Sequence, residues 1–198
     1  MTGRSIMLRM IKSIFVLFLL GFFTQAQTTD SCKGWDAEEY FKTATLEGVT
    51  ACLDAGVDPN AWQKGDRTPL HNAVANSENL DVIKALIDAG ADPNAREKDD
   101  WTPLHLAARY NENPDVIKAL IDAGADPMAR NGGWTPLHSA AGNNENPDVI
   151  KVLLNAGADP NAIDVMDGNR WTPLHCAAAS NENPDVIKVL LNAGADIN

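Results

Sequence analysis

The string Thr-Pro-Leu-His begins at Thr68, Thr102, Thr135 and Thr172, at intervals of 34, 33 and 37 residues. The string Asp-Val-Ile-Lys follows each time, beginning at Asp81, Asp115, Asp148 and Asp185. An Ala-Gly pair closes each copy at Gly90, Gly124, Gly157 and Gly194, and the same ending occurs once earlier at Ala55-Gly56. Five units therefore span roughly 35–61, 66–95, 100–129, 133–162 and 170–198. A period of this length dictates supersecondary units that stack in a row around a continuous core.

The third unit shows what each copy encodes. Thr102 predicts an N-cap, because its hydroxyl can accept from an early helical N–H. Pro103 stands at the first helical position, where its missing N–H costs nothing. Leu104, Ala107 and Ala108 give this first helix a small apolar face; it ends near Tyr110, where Asn111 is expected to supply a left-handed stop. Asn113-Pro114-Asp115 repeats the start signal, and Val116, Ile117, Leu120 and Ile121 form the stripe of a second helix that stops at Gly124. Asp126-Pro127 forces an extended turn. Helices of two to three turns are marginal alone, so each unit must borrow apolar cover from its neighbours.

This pattern resembles the ankyrin repeat family, over nearly all of the chain beyond residue 34. The resemblance implies an all-α solenoid of stacked helix-turn-helix pairs with projecting β-hairpin or turn loops, and a role in binding another protein. It also implies that His71, His105, His138 and His175, one per unit in the same slot, hydrogen-bond backbone groups of neighbouring units. The chain departs from the family pattern in several places. Asn-Glu-Asn-Pro replaces the usual glycine turn at 111–114, 144–147 and 181–184; Asp100 replaces a hairpin glycine in one unit; the connector Ile163 to Arg170 is about three residues longer than its equivalents. That length puts the regular hairpin shape of the last connector in doubt. In the first unit Glu39-Tyr40-Phe41-Lys42 stands in place of Thr-Pro-Leu-His, and its second helix reads about a turn short. Glu38, Glu39, Lys42 and Thr43 give it the polar outer face of an end cap. The last unit has no such cap.

Residues 1–26 read as a secretory signal peptide. Arg4, Arg9 and Lys12 precede an apolar run from Ile14 to Phe23, and Thr24-Gln25-Ala26 fits the cleavage site. An uncleaved N-terminal membrane anchor is the alternative. Residues 27–34 form a short lead into the repeat domain at 35–198. Export to the periplasm or outside the cell means an oxidising compartment, in which Cys32 and Cys52 are a possible disulfide; three buried or free thiols are the other reading. Cys176 reads as a small core residue. The whole chain carries 16 basic and 27 acidic residues. An acidic surface of this kind disfavours nucleic acid and anionic membranes as partners, and no membrane insertion is expected once the signal is cut.

Candidate chemistry is sparse. Histidines one per unit do not converge as metal ligands must, and Asp164 to Gly168 lacks the alternating acids and terminal glutamate of a calcium loop. No nucleophile elbow, phosphate loop or His-Glu-x-x-His is present. The reading is therefore no enzyme, no cofactor and no metal. The family's contact positions map onto Trp101, Trp134 and Trp171, with Arg67 in the same slot of the second unit. They also map onto Ala75 and Asn76, Arg109 and Tyr110, Gly142 and Asn143, and Ala179 and Ser180. Hairpin tips add Lys64, Lys98, Asp99, Val165 and Met166. The tryptophans serve equally as partner contacts or as packing over the adjacent hairpin. Trp, Tyr and Arg make the strongest anchors. The expected function is an exported interaction module using its concave, hairpin-side face. The alternative is a structural, self-assembling envelope protein that uses the uncapped last unit.

Overall fold

The computed structural model describes residues 32–35, 37–63, 65–165 and 170–197. The leader read over 1–26, Lys64, and Met166, Asp167 and Gly168 of the last connector lie outside the described residues. Among those described are ten helices in five pairs: α1 Glu38–Thr43 and α2 Leu46–Asp54; α3 Pro69–Asn76 and α4 Leu80–Asp88; α5 Pro103–Tyr110 and α6 Pro114–Asp122; α7 Pro136–Asn143 and α8 Pro147–Asn155; α9 Pro173–Ser180 and α10 Pro184–Asn192. The architecture is the all-α stack that the period predicts. Its hairpins are turns rather than sheet: one isolated bridge, Asn131 with Trp134, is the extent of pairing among the described residues.

Local chemistry sets the ends of the helices. In α5 the Thr102 hydroxyl accepts from the His105 N–H at 3.4 Å, while His105 Nδ1 accepts from the Thr102 N–H at 3.2 Å. Imidazole here fills the place that glutamate holds in the usual capping box, and α7 and α9 start the same way. Asn79, Asn113, Asn146 and Asn183 cap the second helices by accepting from the N–H two residues on. Those helices stop at Gly90, Gly124, Gly157 and Gly194, whose φ values of 88° to 95° suit glycine. Asn111 is not a left-handed stop: its φ of −102° is extended. The first unit also differs from expectation. Its second helix has the full nine residues and its first is short at six, because Ala37 offers no side-chain cap and no Thr-Pro step nucleates the turn.

Ala73, Ala107, Ala140 and Ala177 are fully buried, and these small side chains let α3, α5, α7 and α9 pack more closely on one another than the second helices do. Gly142 extends this seam, since a Cβ there would lie 3.4 Å from Cys176 Cβ. The first helices thus form the more closely packed side of the stack. Val116, Ile117 and Leu120 of α6, and their counterparts in α4 and α8, fill the layer between helix pairs with no exposure.

Three sets of polar fittings join neighbouring units. His71 Nε2 meets the Trp101 carbonyl at 3.1 Å, His105 the Trp134 carbonyl at 3.2 Å, and His138 the Trp171 carbonyl at 3.2 Å. Asn111 Nδ2 donates to the Val74 and Ser77 carbonyls at 3.1 and 2.9 Å, and Asn144 and Asn181 repeat the pattern one unit on. On the turns after the second helices, Asn60 and Asn94 each donate to the next unit's stop glycine and accept from the next aspartate N–H. Asn161 does the same toward Gly194 and Asp196. Met128 occupies that slot in the third unit, where the Asp159 N–H finds only its sulfur at 3.2 Å.

The two ends of the stack are unlike. Cys32 is bonded to Cys52 with Cα atoms 5.5 Å apart, and Trp35, Tyr40 and Phe41 cluster beneath with ring centroids 5.1 to 5.5 Å apart. Gln63 donates to the Trp35 carbonyl and accepts from Asn72, which ties this end to the second unit. At the other end His175 lies open, as do Leu191 and Ile197, the last of them 77% exposed.

Candidate protein-binding face

Four connectors project beside the first helices, each closed by a backbone bond to the carbonyl of the residue just before Thr-Pro, with a second, reciprocal bond from Trp134 to Asn131. Gln63 donates to the Arg67 carbonyl, Glu97 to Trp101, Asn131 to Trp134 and Asp164 to Trp171. In the long connector this bond is 2.8 Å, and residues 166–169 between its ends lie outside the described residues. Closure requires a left-handed residue next to the slot. Gly133 meets that need with φ 127°, while Asp66, Asp100 and Arg170 adopt it at 57°, 62° and 52°. Three units, not one, thus place a side chain where glycine is cheapest. Gly133 has a second constraint: a Cβ there would lie 2.8 Å from the Val165 backbone nitrogen.

The Trp101, Trp134 and Trp171 carbonyls each accept twice, from their own connector's N–H and from the preceding unit's histidine. Because Nδ1 of these histidines accepts from a threonine N–H, Nε2 carries the hydrogen and donates. Burial pushes the His71 and His105 imidazoles down to about 4 from the ordinary 6.5, outweighing the stabilising carbonyls, and lowers His138 as well. These rings are neutral structural donors at neutral pH. Burial likewise pushes the Cys176 thiol up to about 12.

The three indoles are half-buried, each tilted against the histidine of its own unit at 5.6, 5.2 and 6.4 Å between centroids. Trp134 Nε1 also donates to Ser139. They therefore pack onto the first helices of their own units and leave an edge open. Arg67, in the same slot, is engaged otherwise: it pairs with Glu97, which is 8% exposed. That pair spans a full repeat and bridges two connectors. Lys98, Asp99 and Val165 are exposed on the connectors, with Val165 at 64%, and do not join the tryptophans.

One group of the expected residues does converge. The Arg109 guanidinium carbon lies 5.6 Å from the Trp101 ring centroid and 5.2 Å from that of Tyr110, which is 54% exposed. Arg109 is the one charged side chain on α3, α5, α7 and α9. Among the described residues its guanidinium has no ion-pair partner, and its Nε is buried with no hydrogen-bond acceptor. Beside Tyr110 lies a groove of about 230 Å³ lined by Ala75, Asn76, Ser77, Glu78, Asn111 and Glu112.

Trp62, 61% exposed, is a surface aromatic that the repeat pattern did not single out. It stands in the column of Arg96, Arg130 and Ile163, directly after the turn alanine. A tryptophan in a column otherwise holding two arginines was the available signal. Among the described residues no group of three or more His, Cys, Asp or Glu is placed to hold a metal ion, and no helix is long and apolar enough to cross a membrane. Set against curated proteins, the chain finds no match. A family model for ankyrin repeats, in three copies, matches it over residues 40–131, 70–164 and 130–198.

Proposed function

The chain belongs to the ankyrin repeat family, and on that footing we propose that it is an exported module that holds one protein partner against its first-helix face. Repeats of this family are generally protein–protein interaction modules. The observation that carries the reading is the convergence of Trp101, Arg109 and Tyr110 on the first-helix side of the stack. Trp, Tyr and Arg are the residues that anchor most interfaces, and rigid placement lowers the entropy lost on binding. Trp134 and Trp171 continue the open aromatic edge along the stack. Lys98, Asp99 and Val165 belong to the rim of the same surface, and Arg67 serves mainly to hold a connector in place. The scaffold acts by binding and has no catalytic role. Its cation-poor composition points to protein rather than nucleic acid.

Export rests on the basic start and apolar run over 1–26, and on the Cys32–Cys52 bond, which persists in an oxidising compartment. The periplasm or the exterior is the proposed location, with an N-terminal anchor as the alternative. Cell fractionation and N-terminal sequencing test it: Gln27 is the expected first residue, and a cytosolic chain beginning at Met1 refutes it. For the face, the expected result is that the partner captured from the source cell's extract is lost on Trp101→Ala plus Arg109→Ala. Full affinity in that variant, folded by circular dichroism, removes the assigned surface.

A second reading rests on the open end, where His175, Leu191 and Ile197 meet solvent. Self-assembly through this unit predicts a mass in solution that rises with concentration. A constant monomer mass rules it out.

A further inference from the structure

The first helices of the four Thr-Pro-Leu-His units form a wall that is neutral except at Arg109. Arginine on a protein surface can pair with a carboxylate, and this chain has 27 acidic residues to offer. Arg67 has Glu97, Arg96 lies 3.9 Å from Asp100, and Lys151 and Lys188 have Asp148 and Asp185. Arg109 has two aromatic rings instead, which hold the guanidinium by cation–π contact and leave its charge unneutralised. A guanidinium held in that way is pre-organised to accept a carboxylate through a paired, charge-assisted contact.

The adjacent groove has the opposite character. Glu78 and Glu112 are both exposed on its rim, the Asn76 side chain is half-buried within it, and Tyr110 borders both the groove and Arg109. One tyrosine thus contacts a fixed cation and also lines a groove that carries two carboxylates. That order of charges sets a pattern on whatever lies across it.

Building on the binding face assigned above, we propose that the partner presents an aspartate or glutamate carboxylate to Arg109, and a lysine or arginine a few residues away to the groove between Glu78 and Glu112. A wholly acidic segment meets repulsion at the groove, and a wholly basic one meets it at Arg109. The site therefore selects a mixed pair in one order, which is specificity by exclusion as well as by attraction.

The test uses a random peptide library displayed on phage, selected on the intact, oxidised chain. Recovered peptides are then measured by calorimetry against four folded proteins: the chain itself, Arg109→Gln, Arg109→Lys, and Asn143→Trp. The last places a bulky ring at an exposed position of the same face, in α7. The expected peptides carry an acidic residue with a basic one nearby. Arg109→Gln should weaken them about tenfold or more, with partial recovery in Arg109→Lys. Changing the peptide's acid to its amide should cost as much against the chain and little against Arg109→Gln. Peptides that lose affinity to Asn143→Trp but are indifferent to Arg109→Gln overturn the carboxylate anchor and leave the face standing. Peptides indifferent to both variants, or a selection yielding no binder, overturn the anchor and the face together.

Discussion

Lowering the pH from neutral to about 5 should loosen the seams between units. His71 and His105 are fully buried, and burial holds both imidazoles near 4 against an ordinary 6.5. Between those values the unfolded chain binds protons that the folded chain refuses, so stability is complete above about 6.5 and is lost as pH falls toward about 4. At about pH 5 the unfolded imidazole is almost wholly charged and the folded one mostly neutral, a difference of about 2 kcal/mol for each ring. The pair together therefore costs about 4 kcal/mol, which for a domain of this size lowers Tm by roughly 10 °C. His138, lowered for the same reason, acts in the same direction. Thermal melts followed by circular dichroism across this range, at constant ionic strength, measure the slope. Replacing both residues, His71→Gln and His105→Gln, removes the titrating group while keeping an amide donor near each tryptophan carbonyl. A flat Tm between neutrality and pH 5, or an unchanged slope in the double variant, refutes the assignment of the acid response to these rings.

Asn111→Ala leaves the buried Val74 and Ser77 carbonyls without their donor, and about 2–4 kcal/mol of stability should be lost in urea titration. Reducing Cys32–Cys52, which are 20 residues apart, should cost about 3 kcal/mol from restored unfolded-chain entropy, seen as a lower urea midpoint in dithiothreitol. Met128→Asn should raise Tm, because the amide can donate to the Gly157 carbonyl and accept from the Asp159 N–H as its counterparts do; a gain of about 1 kcal/mol is expected. A neutral or lowered Tm in that variant would show that Met128 contributes more by packing than the ladder does.

The stack was legible because its signals are local and repeated. Thr-Pro, Asn-Pro and Ala-Gly each fix a helix end within a few residues, and four copies average out the exceptions. The parts that were not legible depend on distance. Asn111 looked like a turn residue because its partners, Val74 and Ser77, lie 37 and 34 residues back. Arg67 looked available because Glu97 is a full unit away in sequence. The bond from the Asp164 N–H to the Trp171 carbonyl joins residues seven apart across the long connector, and no local motif announced it. In the first unit the shortfall falls on α1 and not on the second helix, because the missing Thr-Pro governs where a helix starts, and that start belongs to α1. Of the contact residues, the family resemblance implied Trp101, Arg109 and Tyr110. Their convergence was a property of side-chain direction that a one-dimensional pattern does not hold.

The fittings between units have a genetic consequence. Each internal seam offers the same hydrogen-bonding parts on its two sides: histidine and helix-end carbonyls on the preceding unit, a tryptophan carbonyl and an asparagine amide on the following one. A unit duplicated or excised in register would meet a mate of the same shape, and few polar groups would be orphaned by the splice. The molecule can therefore grow or shorten by whole periods through recombination while each intermediate length remains foldable. Its reach can be adjusted independently of the single cationic landmark that marks where along the wall a visitor docks.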